Sequence, residues 1–135
     1  MSTATSSPSS TVLSEADQQA IRQAALDYMQ GWYEGDAARM ESSLHETLAK
    51  RSVTVNDDTK LEQLWHLSKA EMVQYTADGG GKAAPREALV YDVTILDSFK
   101  EVATIKVAAY DFVDFLHLAK LNGAWKIINA IWAHR

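Results

Sequence analysis

Few side chains in this sequence combine reactive chemistry with a setting that would use it. The first is Asp114, a carboxylate between Val113 and Phe115 in "DFVDFLHLAKLNGAWKII", residues 111–128, a run otherwise dominated by hydrocarbon. A carboxylate there is paired with a cation, turned to water at the end of a sheet, or kept for a ligand. Desolvation would raise its pKa and make it an acid or base at ordinary pH. Two groups could share that work, the hydroxyl of Tyr28 and the imidazole of His45 acting as a proton shuttle. His45 also reads as a helix-terminal histidine that only complements the dipole. Tyr28, Trp32, Trp65 and Tyr75 are wide rings that would either line an aromatic pocket for a flat heterocycle or pack as plain core. Asn129 could donate to a ligand carbonyl or to Asp114 itself. The four histidines show no paired spacing and there are no cysteines, so neither a metal site nor thiolate chemistry is expected. "DGGGK" lacks the spacing of a phosphate-binding loop, and no cofactor is expected.

The totals narrow the partners. A chain of 135 residues is one domain by length, with 47% hydrophobic and 23% charged residues. A formal net charge of −5 argues against nucleic acid, which needs a basic face. No segment approaches the roughly 18 apolar residues of a membrane span. The Ser/Thr-rich start, residues 1–13, lacks the charge and apolar core of a secretory signal and reads as a disordered tail before a domain at residues 14–135. With no cysteine, a reducing cytoplasm is the expected compartment.

The elements that must position these residues follow from periodicity. "SEAD" caps a helix at Ser14, along which Ile21, Ala24, Ala25, Tyr28, Met29 and Trp32 form one apolar face. Gly35 ends it and Asp36 caps a second helix, with His45 near its end. "LAKRSVTV" alternates and reads as a short strand, and "LEQLWHL" as another short strand or an irregular run. "SKAE" opens a third helix, which "ADGGGKAAPRE" must stop; that loop reads as a floppy connector or a lid. From Ala88 onward the pattern is β: two runs with a turn at residues 97–100, then two more joined by Asn122-Gly123, a strong hairpin signal. The expected fold is α+β: four main antiparallel strands plus a short one, packed on three N-terminal helices.

If Asn122-Gly123 is a two-residue turn, Leu121 faces Ala124 and the rest follows by counting. One face carries Asp114, Leu116, Leu118, Trp125, Ile127, Asn129 and Ile131. The other carries Val113, Phe115, His117, Ile128, Ala130 and Trp132. Both are apolar over most of their length, unlike a one-sided antiparallel sheet. One face is expected to cover the helices and the other to join a second copy as a homodimer.

"GWYEGD", "LHETLAKR" and "HLAKLNGAWKIIN" resemble the nuclear transport factor 2-like superfamily, and within it the branch labelled putative lumazine-binding, over about residues 15–133. The resemblance implies a cone of curved antiparallel sheet around three helices, with a pocket between them and frequent dimerisation through the outer face. Ketosteroid isomerases of this superfamily carry a Tyr seven residues before a Gly-Asp pair, and Tyr28 stands so before Gly35-Asp36. Their general base falls on or near Ser52, which cannot abstract a carbon-bound proton unaided. Their second acid falls near Leu116 or His117, not Asp114. That activity is not carried over. The expected function is binding of a small, flat or apolar molecule. The alternatives are cofactor-independent acid–base catalysis through Asp114 with Tyr28 or His45, and a dimeric assembly module with a vestigial pocket.

Overall fold

The computed structural model describes residues 12–135, so most of the Ser/Thr-rich start lies outside the described residues. Helix α1 (Glu15–Glu34) starts on Ser14, whose hydroxyl accepts from the Asp17 backbone N–H, and ends on Gly35 with φ of 70°. Its apolar stripe buries Ile21, Ala24, Ala25, Tyr28 and Met29. Asp36 caps the short α2 (Ala37–Ser43). The chain then extends as β1 (Leu44–Val55), turns into β2 (Glu62–Leu67), and enters α3 (Lys69–Ala77) through a complete capping box of Ser68 and Glu71. Four strands follow: β3 (Tyr91–Phe99), β4 (Val102–Ala109), β5 (Phe112–Leu121) and β6 (Ala124–His134).

The strands form one curved, open sheet in the order β2-β1-β6-β5-β4-β3. All neighbours are antiparallel except β1 and β6, which run parallel. The expected α+β class and three helices hold. The "short strand" is instead twelve residues long and "LEQLWHL" is a regular strand, giving six strands among the described residues. The core lies between α1 and the inner sheet face, where Ile105, Val107, Leu116, Leu118 and Ile127 are fully buried. Among the described residues, no helix is long and apolar enough to cross a membrane.

The hairpin turn forms as expected: Leu121 faces Ala124, with Asn122 at φ 50° and Gly123 at φ 81°. The register changes farther along. His117 faces Asn129 while Leu118 faces Ile127, which leaves Ile128 unpaired as a bulge. One extra residue turns everything beyond it to the opposite face. Asp114 therefore faces Trp132 rather than neighbouring Asn129. Asn129 and Ile131 point outward, while Ala130 is buried within.

The triple-glycine segment is packed rather than slack. A Cβ on Gly80 would come within 2.5 Å of the Trp32 ring, and one on Gly81 within 2.6 Å of the Trp32 ring and carbonyl. The backbone at Gly80 and Gly81 thus lies flat against the Trp32 side chain, an approach closed to any residue with a side chain. Glycine here fixes one side of the space that α1 and β6 leave open.

Candidate functional site

Asp114 is completely buried, on the inner face of β5. Tyr28, on the buried stripe of α1, donates its hydroxyl hydrogen to Asp114 Oδ2. Lys50, on the inner face of β1, donates from Nζ to the Tyr28 hydroxyl oxygen and lies 3.5 Å from Asp114 Oδ2. One helix and two strands thus converge on a directed chain from ammonium through phenol to carboxylate. Asp114 Oδ1 accepts no hydrogen bond from the described residues.

Lys50 carries an ion-forming group in a place where water hardly reaches it: the residue is 6% exposed. Ring faces take the place of solvent. Its Nζ lies 4.8 Å from the Tyr28 centroid, 5.3 Å from Trp132 and 5.9 Å from Phe112, within range of cation–π attraction. Burial pushes the Asp114 carboxyl above its usual range, against the opposing pull of Lys50 and Tyr28. Burial also pushes the Lys50 ammonium down, with Asp114 opposing, and lifts the Tyr28 phenol well above its ordinary value. Every shift favours the uncharged form, the mark of desolvation outweighing Coulomb attraction.

Tyr28 and Lys50 form part of the wall of a cavity of about 330 Å³. Phe112, Leu67 and Met72 add buried apolar surface, and Trp32, Trp132 and Gly80 close the sides. Trp65 and Tyr75 stand at the rim, each 42% exposed, with ring centroids 6.4 Å apart. Trp65 also meets Trp132 edge-on at 6.5 Å. Asp111 and His134 add polar groups to the wall. The Tyr33 hydroxyl donates to the Asp111 carboxylate, and the His134 ring sits 4.7 Å from that of Trp132. The result is an aromatic slot with an amine and a phenol set into it. Among the described residues, no group of three His, Asp or Glu side chains could hold a metal ion.

Of the residues singled out in sequence, Tyr28 and Asp114 meet directly, and Trp32, Trp65 and Tyr75 join Tyr28 around the cavity. His45 does not reach it. The chain leaves α2 at Ser43, so His45 lies within β1 rather than at a helix end, hydrogen-bonded to its neighbour Thr47 and beside a separate depression with Lys126. Asn129 is not there either: the Ile128 bulge turns it outward, where Nδ2 lies 3.4 Å from His117 Nδ1 in a depression on the far face. Lys50 was missed, although a signal existed. Leu48, Lys50 and Ser52 share one face of a period-two strand, so a buried Leu48 carries Lys50 and Ser52 inward with it. Trp132 and Phe112 were missed as cavity walls; nothing in the residue types marks Ile128 as a bulge.

The buried pair generates a test of stability. Removing either partner alone, by Lys50→Met or Asp114→Leu, should cost about 3–5 kcal/mol, whereas the double variant should equal or exceed the wild type by up to about 4 kcal/mol. The folded pKa of Asp114 is raised above 3.8, so its contribution is present in acid and lost as pH rises through the folded value. The folded pKa of Lys50 lies below 10.5, so its contribution is present in alkali and lost as pH falls through the folded value. The advantage of the double variant should be greatest near neutrality and narrow toward both extremes. Denaturant unfolding across that pH range checks this; a single variant as stable as the wild type would contradict it.

Comparison with known proteins sets this geometry in a family. The chain matches the family described as "Putative lumazine-binding" over residues 16–133. A nuclear transport factor 2-like protein of unknown function from Methylobacillus flagellatus KT superposes with a TM-score of 0.71 at 22% identity, covering 93% of this chain and 98% of that one. A second such protein, from Shewanella baltica OS155, gives 0.67 at 16%, covering 92% and 98%. A ketosteroid isomerase-like protein from Erwinia carotovora atroseptica SCRI1043 gives 0.59 at 11%, covering 90% and 98%. Likeness at these identities carries the fold alone. No curated protein sequence matches the chain significantly. Matched along nearly its whole length, the chain belongs to the family described as "Putative lumazine-binding", and it has the fold of nuclear transport factor 2-like proteins.

Proposed function

We propose that this domain binds a small, flat, largely apolar molecule in the aromatic cavity, with a polar oxygen of that molecule set against Lys50 and Tyr28. One observation carries the reading: an amine and a phenol stand in a wall made mostly of aromatic and aliphatic side chains, with Asp111 and His134 as its other polar members. Such a slot rewards a stacked ring and orients it by a single polar edge. The family description names lumazine, a flat heterocycle, which is a ligand of the same shape class. Catalysis by Asp114 as a direct acid or base has less support, because Asp114 sits behind Tyr28 and Lys50 and has a cation partner. A vestigial pocket has less support still, since the cavity stands open at about 330 Å³.

Titration with 2-naphthoate and with lumazine, followed by intrinsic tryptophan fluorescence, tests the proposal. Trp32, Trp65 and Trp132 line the cavity, so a stacked ligand should quench them. Trp65→Ala should weaken binding about tenfold, or about 1.4 kcal/mol, in line with the worth of an aromatic stack. The idea fails if no flat aromatic quenches the wild type, or if Trp65→Ala binds equally well.

The outer sheet face supports a second copy of the chain as partner. Val53, Val55, Leu64, Phe115 and Ile131 project from four adjacent strands, each 46–58% exposed. None carries charge, so two such strips can cover each other in an isologous dimer without leaving a charge unpaired. Light scattering should give twice the mass of the 135-residue chain, and Phe115→Glu with Ile131→Glu should return the single mass. A monomeric wild type at tens of micromolar would contradict this.

A further inference from the structure

We propose that Lys50 is a nucleophilic amine that captures aromatic aldehydes or ketones in the cavity as a reversible imine. The inference rests on the binding reading above and adds a chemical class to it: a flat ring bearing a carbonyl group.

Geometry carries the argument. A lysine becomes a nucleophile when it is desolvated and has somewhere to send its proton. Lys50 meets both conditions. Its side chain is 8% exposed and lines the cavity. Its Nζ donates to Tyr28, whose own hydroxyl donates to Asp114 Oδ2. One proton moved along each bond leaves a neutral amine, an intact phenol and a protonated carboxyl, with no net charge created or lost. The downward pressure of burial on Lys50 and the upward pressure on Asp114 act in the same direction.

The other lysines lack this setting. Lys120 is paired with Asp17 at 3.0 Å and more than a third exposed, and Lys126 donates to the Ser42 carbonyl at the surface. Neither has an aromatic slot to hold a substrate beside it.

The reaction balances without an oxidant or reductant. The Nζ lone pair forms a bond to the carbonyl carbon, and the C=O π pair moves to oxygen. The nitrogen gives up a proton, and the oxygen receives one from Asp114 through Tyr28, forming a carbinolamine. Loss of a second nitrogen proton and protonation of the hydroxyl group expel water and leave C=N. Amine and carbonyl thus become imine and water. Tyr28 touches the reacting atoms, whereas Asp114 acts through it as a proton reservoir.

The test uses the full chain, 2-naphthaldehyde as probe and sodium cyanoborohydride to trap any imine as a secondary amine, read by peptide mass spectrometry near pH 7. The expected result is a naphthylmethyl adduct on Lys50 that forms at least tenfold faster than on any other lysine. 2-Methylnaphthalene, which fills the slot but has no carbonyl, should protect Lys50 in the wild type. Lys50→Arg should lose the adduct. The wild-type competition stands even if that variant fails to fold. Labelling spread over surface lysines with Lys50 unmodified, while quenching persists, would overturn the imine and leave the cavity reading intact. Loss of quenching in the wild type would overturn both.

Discussion

A carboxylate sealed from water must be neutralised, and the placement of Asp114 imposes that condition on the whole molecule. It sits at 0% exposure in the middle of the sheet's inner face, where an isolated charge would cost several kcal/mol. The answer comes from two elements distant in sequence. Tyr28 reaches it from α1 across 86 residues, and Lys50 from β1 across 64. Helix α1 must therefore lie over β5, and β1 must join the sheet close enough to bring its inner face to the same point. The parallel β1–β6 pairing and the packing of α1 on the sheet meet that requirement together.

Neutralising Asp114 leaves Lys50 with little water around it, and the aromatic walls are the counterpart. Rings of Tyr28, Phe112 and Trp132 surround its Nζ where solvent would otherwise stand. The Ile128 bulge brings one of them there: without it, Trp132 would face outward and Asn129 inward. The close fit of Gly80 and Gly81 on Trp32 completes the slot from the other side. Stability and the shape of the cavity are thus built from the same side chains, so a change at Lys50 or Asp114 acts on both.

How much of this could be read in the sequence depends on which interactions are local. Capping at Ser14, Asp36 and Ser68, the Gly35 stop and the Asn122-Gly123 turn depend on neighbouring residues, and each formed where the pattern placed it. Asp114 was recognisable as anomalous, and its place on one face with Leu116, Leu118, Trp125 and Ile127 followed from counting back from the turn. The count failed at one residue. A bulge is set by how the curved sheet closes over its core, which is a tertiary matter, and it moved Asn129 out and Trp132 in. His45 went astray because α2 stops after seven residues, which its polar end did not signal. Lys50 was legible through alternation with Leu48 and Ser52, but a lysine inside a core is so costly that its own type argues against it.

The site that results is a proton-linked chain facing an aromatic slot, and its central claim concerns the amine at the end of that chain. The most direct measurement is NMR titration of the eight lysine side-chain Cε and Nζ resonances in the intact protein. If Lys50 is desolvated at the cavity wall and tied through Tyr28 to Asp114, its resonances should titrate at lower pH than those of the other lysines. Titration of Lys50 together with the surface lysines would contradict the account, because an amine in contact with water has neither the low proton affinity nor the enclosed setting on which the reading depends.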